Sequence, residues 1–270
     1  MLKSRTLIIL TAIFLLSAAG DGKATPWRDD RPITVGHRGT TVLADENTMA
    51  AYQIAAEYGL DVIECDPKLT QDGVYVIMHD DAVDRTTNGH GRVADLTLAE
   101  IQELRTASGH EVPTLEQVLL FARDHDLSVY LDMKSPPADQ GALLVKLLED
   151  TGMTERVIAG CYHQKTCRMI EERNPKISTC VSWPWPVVTL GQAKRLGADT
   201  AGTLRGLASR GAVKRAHRQG LHMITMPINS KAELDKFKTR GLDALQSDDP
   251  RLLEPYGRNA GNSGASSQPE

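Results

Sequence analysis

The sequence predicts an α/β fold, a (β/α)8 barrel with an extra β-hairpin after its second strand, and three observations lead there. Short apolar runs alternate with longer stretches of helical period. One run returns after a turn too short for a parallel crossover. Setting that run aside leaves eight strands, the number that closes such a barrel. In order, strands are expected over residues 33–36, 61–66, 74–78, 127–133, 156–160, 177–182, 199–202, 221–226 and 243–247. Helices are expected over 48–58, 114–126, 140–150, 164–173, 189–196, 209–219 and 231–240. The first ends at Gly59 and the third at Gly152, where glycine permits the left-handed stop, and Leu115, Val118, Leu119 and Ala122 give the second its apolar face. Strand followed by helix, repeated, means parallel strands with helices packed outside. The exception is the run after Thr70-Gln71-Asp72-Gly73, which must come back antiparallel.

The 270 residues are 41% hydrophobic and 24% charged, enough for one large domain, expected over 31–256. A net charge of −4, with no run of like charges, argues against a nucleic-acid partner. Lys3 and Arg5 precede an apolar run over 7–19 that ends in Ser17, Ala18, Ala19 and Gly20, the layout of a secretory signal over residues 1–20 with cleavage between 19 and 25. The run is short for a bilayer span, which needs about 20 apolar residues. Export to the periplasm or the medium is the expectation, and an uncleaved anchor is the rival. Export would permit a Cys161–Cys167 or Cys161–Cys180 bond; buried thiols are the alternative. The Gly-, Ser- and Asn-rich stretch 257–270 is expected to be a disordered tail.

Four polar clusters fall at or just beyond strand ends: Gly36-His37-Arg38-Gly39, Glu46-Asn47-Thr48, Glu64-Cys65-Asp66 and His79-Asp80. In a barrel those ends form the active face. Glu64 and Asp66 are two apart on a strand, so both carboxylates face one way, and a hard divalent cation, Mg²⁺ or Ca²⁺, is their natural partner. Ion pairing with Arg or Lys is the alternative. A turn near Asp72 pairs residues whose numbers sum to about 144, which places His79 beside Asp66. His37, on the adjoining strand, reaches the same spot, so the two histidines are candidates for acid/base work. Arg38 and Lys134 are candidate phosphate contacts and Asp132 a third metal ligand. Glu46 would orient a histidine or approach the ion, while Asn47 or Thr48 could simply cap the helix.

In this order and spacing the motifs resemble the glycerophosphodiester phosphodiesterase family. The likeness runs from His37-Arg38-Gly39 through Glu46-Asn47-Thr48, Glu64-Cys65-Asp66, Thr70-Gln71-Asp72-Gly73, His79-Asp80 and Arg85-Thr86-Thr87, then Asp132-Met133-Lys134, to Ser247-Asp248-Asp249-Pro250. The resemblance implies a TIM barrel that uses Mg²⁺ or Ca²⁺ to cleave small glycerophosphodiesters into sn-glycerol 3-phosphate and an alcohol. It makes His37 and His79 the acid/base pair and Glu64 and Asp66 metal ligands, with Arg38, Glu46 and Lys134 around phosphate and metal. Three positions depart from the family pattern: Asp45 stands for a usual Pro, Asp132 for a usual Glu, and Met223-Ile224-Thr225-Met226 lacks a usual Trp-Thr pair. Two rivals follow: a lysophospholipase D or sphingomyelinase D activity on lipids, which would bring membrane contact and an apolar rim such as Trp183-Pro184-Trp185-Pro186, and a non-catalytic binder of phosphate ligands.

Overall fold

The structure, a computed structural model, describes residues 26–28, 30–134, 140–183 and 189–258. The expected signal segment, nearly all of the tail, and Pro184, Trp185 and Pro186 lie outside the described residues. In chain order the elements are β1 (Ile33–Gly36), α1 (Met49–Glu57), β2 (Val62–Cys65), the hairpin β3 (Pro67–Leu69) and β4 (Tyr75–Ile77), then α2 (Leu98–Gln102), α3 (Leu115–Asp124) and β5 (Ser128–Met133). There follow α4 (Gln140–Asp150), β6 (Val157–Cys161), α5 (Gln164–Arg173), β7 (Ser178–Trp183), α6 (Leu190–Arg195) and β8 (Thr200–Thr203). The last are α7 (Arg210–His217), β9 (His222–Thr225), α8 (Lys231–Arg240), β10 (Ala244–Ser247) and α9 (Pro250–Leu253).

Eight strands form one sheet in the order β10-β1-β2-β5-β6-β7-β8-β9, and every ladder in it is parallel. The seam between β9 and β10 carries no full ladder but is bridged: Asp243 N–H donates to Met223 O (3.1 Å) and Ile228 N–H to Gln246 O (2.7 Å). The ring is therefore a nearly closed TIM barrel. The hairpin pairs Pro67 with Ile77, Lys68 with Val76 and Leu69 with Tyr75, each summing to 144 as the turn requires. It stands apart from the barrel sheet, on an extension of β2 rather than on β2 itself. The stretch between Asp80 and Thr114, for which no element was expected, holds α2, opened by a Thr97–Glu100 capping box.

Alternation along the strands splits the apolar residues in two. Ile33, Val35, Val62, Tyr130, Ile158, Cys180, Ile224 and Ala244 pack together inside the ring. Ile63, Cys65, Val129, Leu131, Ala159, Cys161, Val181 and Leu245 face the helices. Trp27 packs against the inner cluster and stacks on His222, at the start of β9, with centroids 4.3 Å apart. All four cysteines are buried free thiols, and burial pushes Cys180 up to about 12. Neither disulfide considered from the sequence is formed: Cys180 lies inside the ring, apart from Cys161 in the outer layer, and Cys161 and Cys167, neighbours in that layer, are hydrogen-bonded free thiols.

At the N-terminal end of the strands, buried Asp61 takes both guanidinium nitrogens of Arg31 (2.7 Å each) and both the N–H and the hydroxyl of Thr34 (2.9 Å each). Burial pushes the Asp61 carboxyl up, but the Arg31 and Thr34 hydrogen bonds and the Arg31 charge outweigh it and hold the group below its ordinary range. This pairing is thus at full strength above the unfolded carboxyl value of about 3.9. It is lost as pH falls through the lowered folded value. Asp61→Ala is expected to cost about 3 kcal/mol in urea unfolding at pH 7, because Arg31 is left without its partner. That deficit should shrink in acid, and a pH-independent deficit would refute the assignment.

Candidate active site

The turn after β1 shapes the mouth. Gly39 has φ +77°, and a Cβ there would lie 2.7 Å from the Ala51 carbonyl carbon, so only glycine lets the turn seat on α1. Arg38 itself is held at φ +51°. Such a conformation is costly for a side-chain-bearing residue. Here it aims the Arg38 N–H at the Glu64 carboxylate, 2.6 Å away. Asn47, also left-handed at φ +59°, donates its amide to Asp66 (2.9 Å) and accepts from the Tyr52 hydroxyl (3.0 Å). The helix cap is Thr48, whose hydroxyl accepts from Ala51 N–H, so Asn47 is released for the site.

Glu64 from β2, Asp66 just beyond it and Asp132 from β5 bring one carboxylate oxygen each within 4.8 Å of one another. Burial first, then the charges of Asp66 and Asp132, push the Glu64 carboxyl well above its ordinary range. Asp132 is likewise raised by burial and by Asp66, against the pull of Lys134. Asp66 is held low despite burial by Lys134, Asn47 and His79. The Lys134 ammonium bonds Asp66 and lies 3.2 Å from Asp132, and the Arg38 Nε lies 3.6 Å from Asp66. Two buried carboxylates and one half-buried, their ionisation mutually opposed, fit a hard divalent cation such as Mg²⁺ or Ca²⁺. The shorter Asp132 still joins this cluster.

Each histidine is backed by an aspartate. His37 Nδ1 lies 2.5 Å from Asp248 Oδ1, and its Nε2 lies 4.0 Å from Glu64. His79 Nδ1 lies 2.6 Å from Asp80 Oδ1. A carboxylate can only accept, so in both rings Nδ1 is the donor and Nε2 is left for other chemistry. Asp248 is further held by the Asn229 amide, and Asp80 by Arg85 Nε at 2.6 Å. Glu46 is not in the carboxylate cluster. It takes Arg38 at 2.9 Å and Arg85 at 2.6 Å, so it braces Arg38 and, through Arg85, the aspartate behind His79. Sequence reasoning assigned no role to Asp248, Asp80, Asn229 or Arg85. The available signals were an acid directly after His79 and another directly after the last strand.

A cavity of about 290 Å³ lies at the carboxyl ends of the strands, with His37, Glu64, Asp132 and Lys134 in its wall, while His79 lines a small separate pocket with Glu46 and Asn47. The fold and this mouth define the class: a barrel whose histidines and clustered carboxylates gather where such barrels keep their chemistry. Comparison with known proteins narrows it. A profile of the glycerophosphoryl diester phosphodiesterase family matches residues 37–252, and the chain belongs to that family. A glycerophosphodiester phosphodiesterase of Caldanaerobacter subterraneus subsp. tengcongensis is 29% identical over 241 residues, covering 83% of this chain and 96% of the relative. One from Bacillus subtilis is 28% identical over 274 residues, covering 88% and 90%. A phosphodiesterase of Oleispira antarctica, solved in complex with the product sn-glycerol-3-phosphate, shares the fold with a TM-score of 0.78 at 23% identity, covering 84% of this chain and 96% of that one.

Proposed function

We propose that this chain hydrolyses glycerophosphodiesters to sn-glycerol 3-phosphate and an alcohol, with His37 and His79 as the acid/base pair. The observation that carries the reading is the pair of aspartate-backed imidazoles beside three clustered carboxylates. A binder of phosphate ligands has no need of two imidazoles each oriented through Nδ1 by a carboxylate.

Glu64, Asp66 and Asp132 would hold a divalent cation, Mg²⁺ or Ca²⁺, which when bound supplies positive charge against the phosphate oxygens. Arg38 and Lys134 neutralise the charge that grows on those oxygens as the P–O bond breaks. One Nε2 takes the proton of the attacking hydroxyl, from water or from the substrate's glycerol 2-hydroxyl. The other, entering the step as an imidazolium with both nitrogens protonated, gives its Nε2 proton to the departing alkoxide. Asp248 and Asp80 keep both rings in register through Nδ1, and Glu46 fixes Arg38. Residues 1–20 would export the protein to the periplasm or the medium, a reading supported by their basic start and apolar core.

The test is turnover of glycerophosphocholine by purified protein with Mg²⁺ or Ca²⁺, with both products assayed. Equal amounts of sn-glycerol 3-phosphate and choline are expected. Release of glycerol and phosphocholine, or no turnover with either ion, would overturn the proposal.

A further inference from the structure

The three consecutive polar side chains before α1 go three ways. Glu46 accepts from Arg38 and Arg85, and Asn47 donates to Asp66. Asp45, a position that departs from the family pattern, reaches residues 106–108 instead. Its Oδ2 accepts from Ser108 N–H at 2.9 Å. The Thr106 hydroxyl, buried and itself accepting from His110 N–H (3.1 Å), donates to the same carboxylate. These donors, the Thr106 hydroxyl foremost, hold the Asp45 carboxyl below its ordinary range, so it stays charged at neutral pH. The usual Pro would offer no side-chain acceptor, so the grip is this chain's own.

The stretch that Asp45 grips is the one that carries Arg85. Its apolar side chains Val83, Val93, Ile101 and Val112 cluster with Val76 and Met78, apart from the barrel core, so burial in that core does not fix its place at the mouth. Within it, Asn88 N–H donates to Arg105 O and Arg105 N–H to Asn88 Oδ1, each at 2.9 Å. The Thr87 N–H (3.1 Å) and hydroxyl (2.8 Å) both donate to Val83 O, closing the turn that holds Arg85. From there Arg85 bonds Asp80 and Glu46. The contacts make a ring, from Asp45 through residues 106–108, Arg105, Asn88 and Arg85 back to Glu46. It surrounds another cavity of about 390 Å³, with Asp45, Glu46, Arg85, Asn88, Arg105 and Thr106 in its wall. With a cavity at its centre, the ring keeps its shape through these polar links, and links with few apolar contacts around them are the ones that open locally.

We propose that Asp45 is a positioning residue: by fixing residues 106–108 it sets Arg85 on Asp80, and through Asp80 the ring of His79. The proposal rests on the function above. Asp45 acts through other residues, and what it supplies is the placement from which one guanidinium meets both Glu46 and Asp80. Without it the turn at 83–87 is free to shift, Arg85 can keep Glu46 and lose Asp80, and His79 loses the fixed acceptor of its Nδ1 proton. A displacement of about 1 Å at a reacting group can cost up to about 10²-fold in rate.

Asp45→Ala is expected to lower kcat on glycerophosphocholine about tenfold with KM little moved. Asp45→Asn should stay within about twofold of wild type, since its oxygen accepts from Ser108 N–H and its amide donates to the Thr106 hydroxyl. The decisive measurement is a double-mutant cycle with Arg85→Ala. If Asp45 works through Arg85, Asp45→Ala costs nothing further once Arg85 is gone. Circular dichroism and Tm check folding; should Asp45→Ala not fold, Thr106→Val, which deletes one donor and leaves Asp45 in place, takes its part in the cycle. Wild-type kcat in the variant tested, equal losses in Asp45→Asn and Asp45→Ala, or the full loss repeated in the Arg85→Ala background overturns this inference, while glycerophosphocholine turnover by wild type leaves the proposed function standing. If wild type turns over nothing, that function falls, and hydrogen exchange judges the grip by itself. Exchange at the Thr87 and Asn88 amides about tenfold faster in Asp45→Ala than in wild type, and restored in Asp45→Asn, supports it. Exchange unchanged in Asp45→Ala, or equally fast in both variants, overturns it.

Discussion

His37→Ala and His79→Ala are each expected to lower kcat on glycerophosphocholine by about 10²–10⁴-fold while moving KM little, because a general acid or base acts in the transition state rather than in ground-state binding. The two rings work on one proton inventory, so the double variant should be only slightly worse than either single one. Asp248→Asn provides the discriminating comparison. Its amide can no longer serve as the charged acceptor of the His37 Nδ1 proton, and the ring loses the partner that fixes its tautomer. It should therefore reduce kcat by less than His37→Ala, with Tm close to wild type. A purely structural part for Asp248 would move Tm and leave the pH profile of kcat in place. Either histidine variant at wild-type rate would remove the acid/base assignment.

Chelation is expected to abolish activity, with return on adding Mg²⁺ or Ca²⁺. A second readout does not depend on catalysis. A cation that binds only the folded chain at about a hundred times its Kd adds about 2.7 kcal/mol of stability, so Tm should rise with ion concentration. Glu64→Gln should remove both effects. Burial and the neighbouring acids push the Glu64 carboxyl up, which means that folding works against its charge at neutral pH. A carboxyl raised in this way weakens the fold as pH climbs past its unfolded value. Metal-free Glu64→Gln, whose amide oxygen can still accept the Arg38 N–H, should therefore be at least as stable as metal-free wild type. An EDTA-resistant enzyme with an ion-independent Tm would refute the cation site.

Much of this architecture could be read before any coordinates. The turn at Asp72–Gly73 fixes the hairpin register, and the register puts His79 beyond Asp66; Met78 N–H donates to Asp66 O at 2.9 Å, as that arithmetic requires. Such reasoning works because a tight turn is local. The aspartate behind His37 is not local: Asp248 lies 211 positions away and meets the ring only where the last strand is laid beside the first. Asn47 was ambiguous because a polar residue before a helix is a good cap wherever it stands. Only its left-handed backbone turns it toward Asp66. Glu46 is open between two roles for a similar reason. A carboxylate at a strand mouth can serve a metal or an arginine, and which of them is within reach depends on Arg38 and Arg85 being folded in from either side.

The contact between His37 and Asp248 spans the junction of the first strand with the last. A chain still emerging during synthesis can hold the first strand, the carboxylates and the hairpin, yet His37 lacks its partner until β10 arrives. Onset of full turnover would then coincide with ring closure. Products truncated before residue 248 should fall short of full turnover even where their earlier strands have packed. Hydrolysis of a soluble ester thus becomes a clock for the final assembly step.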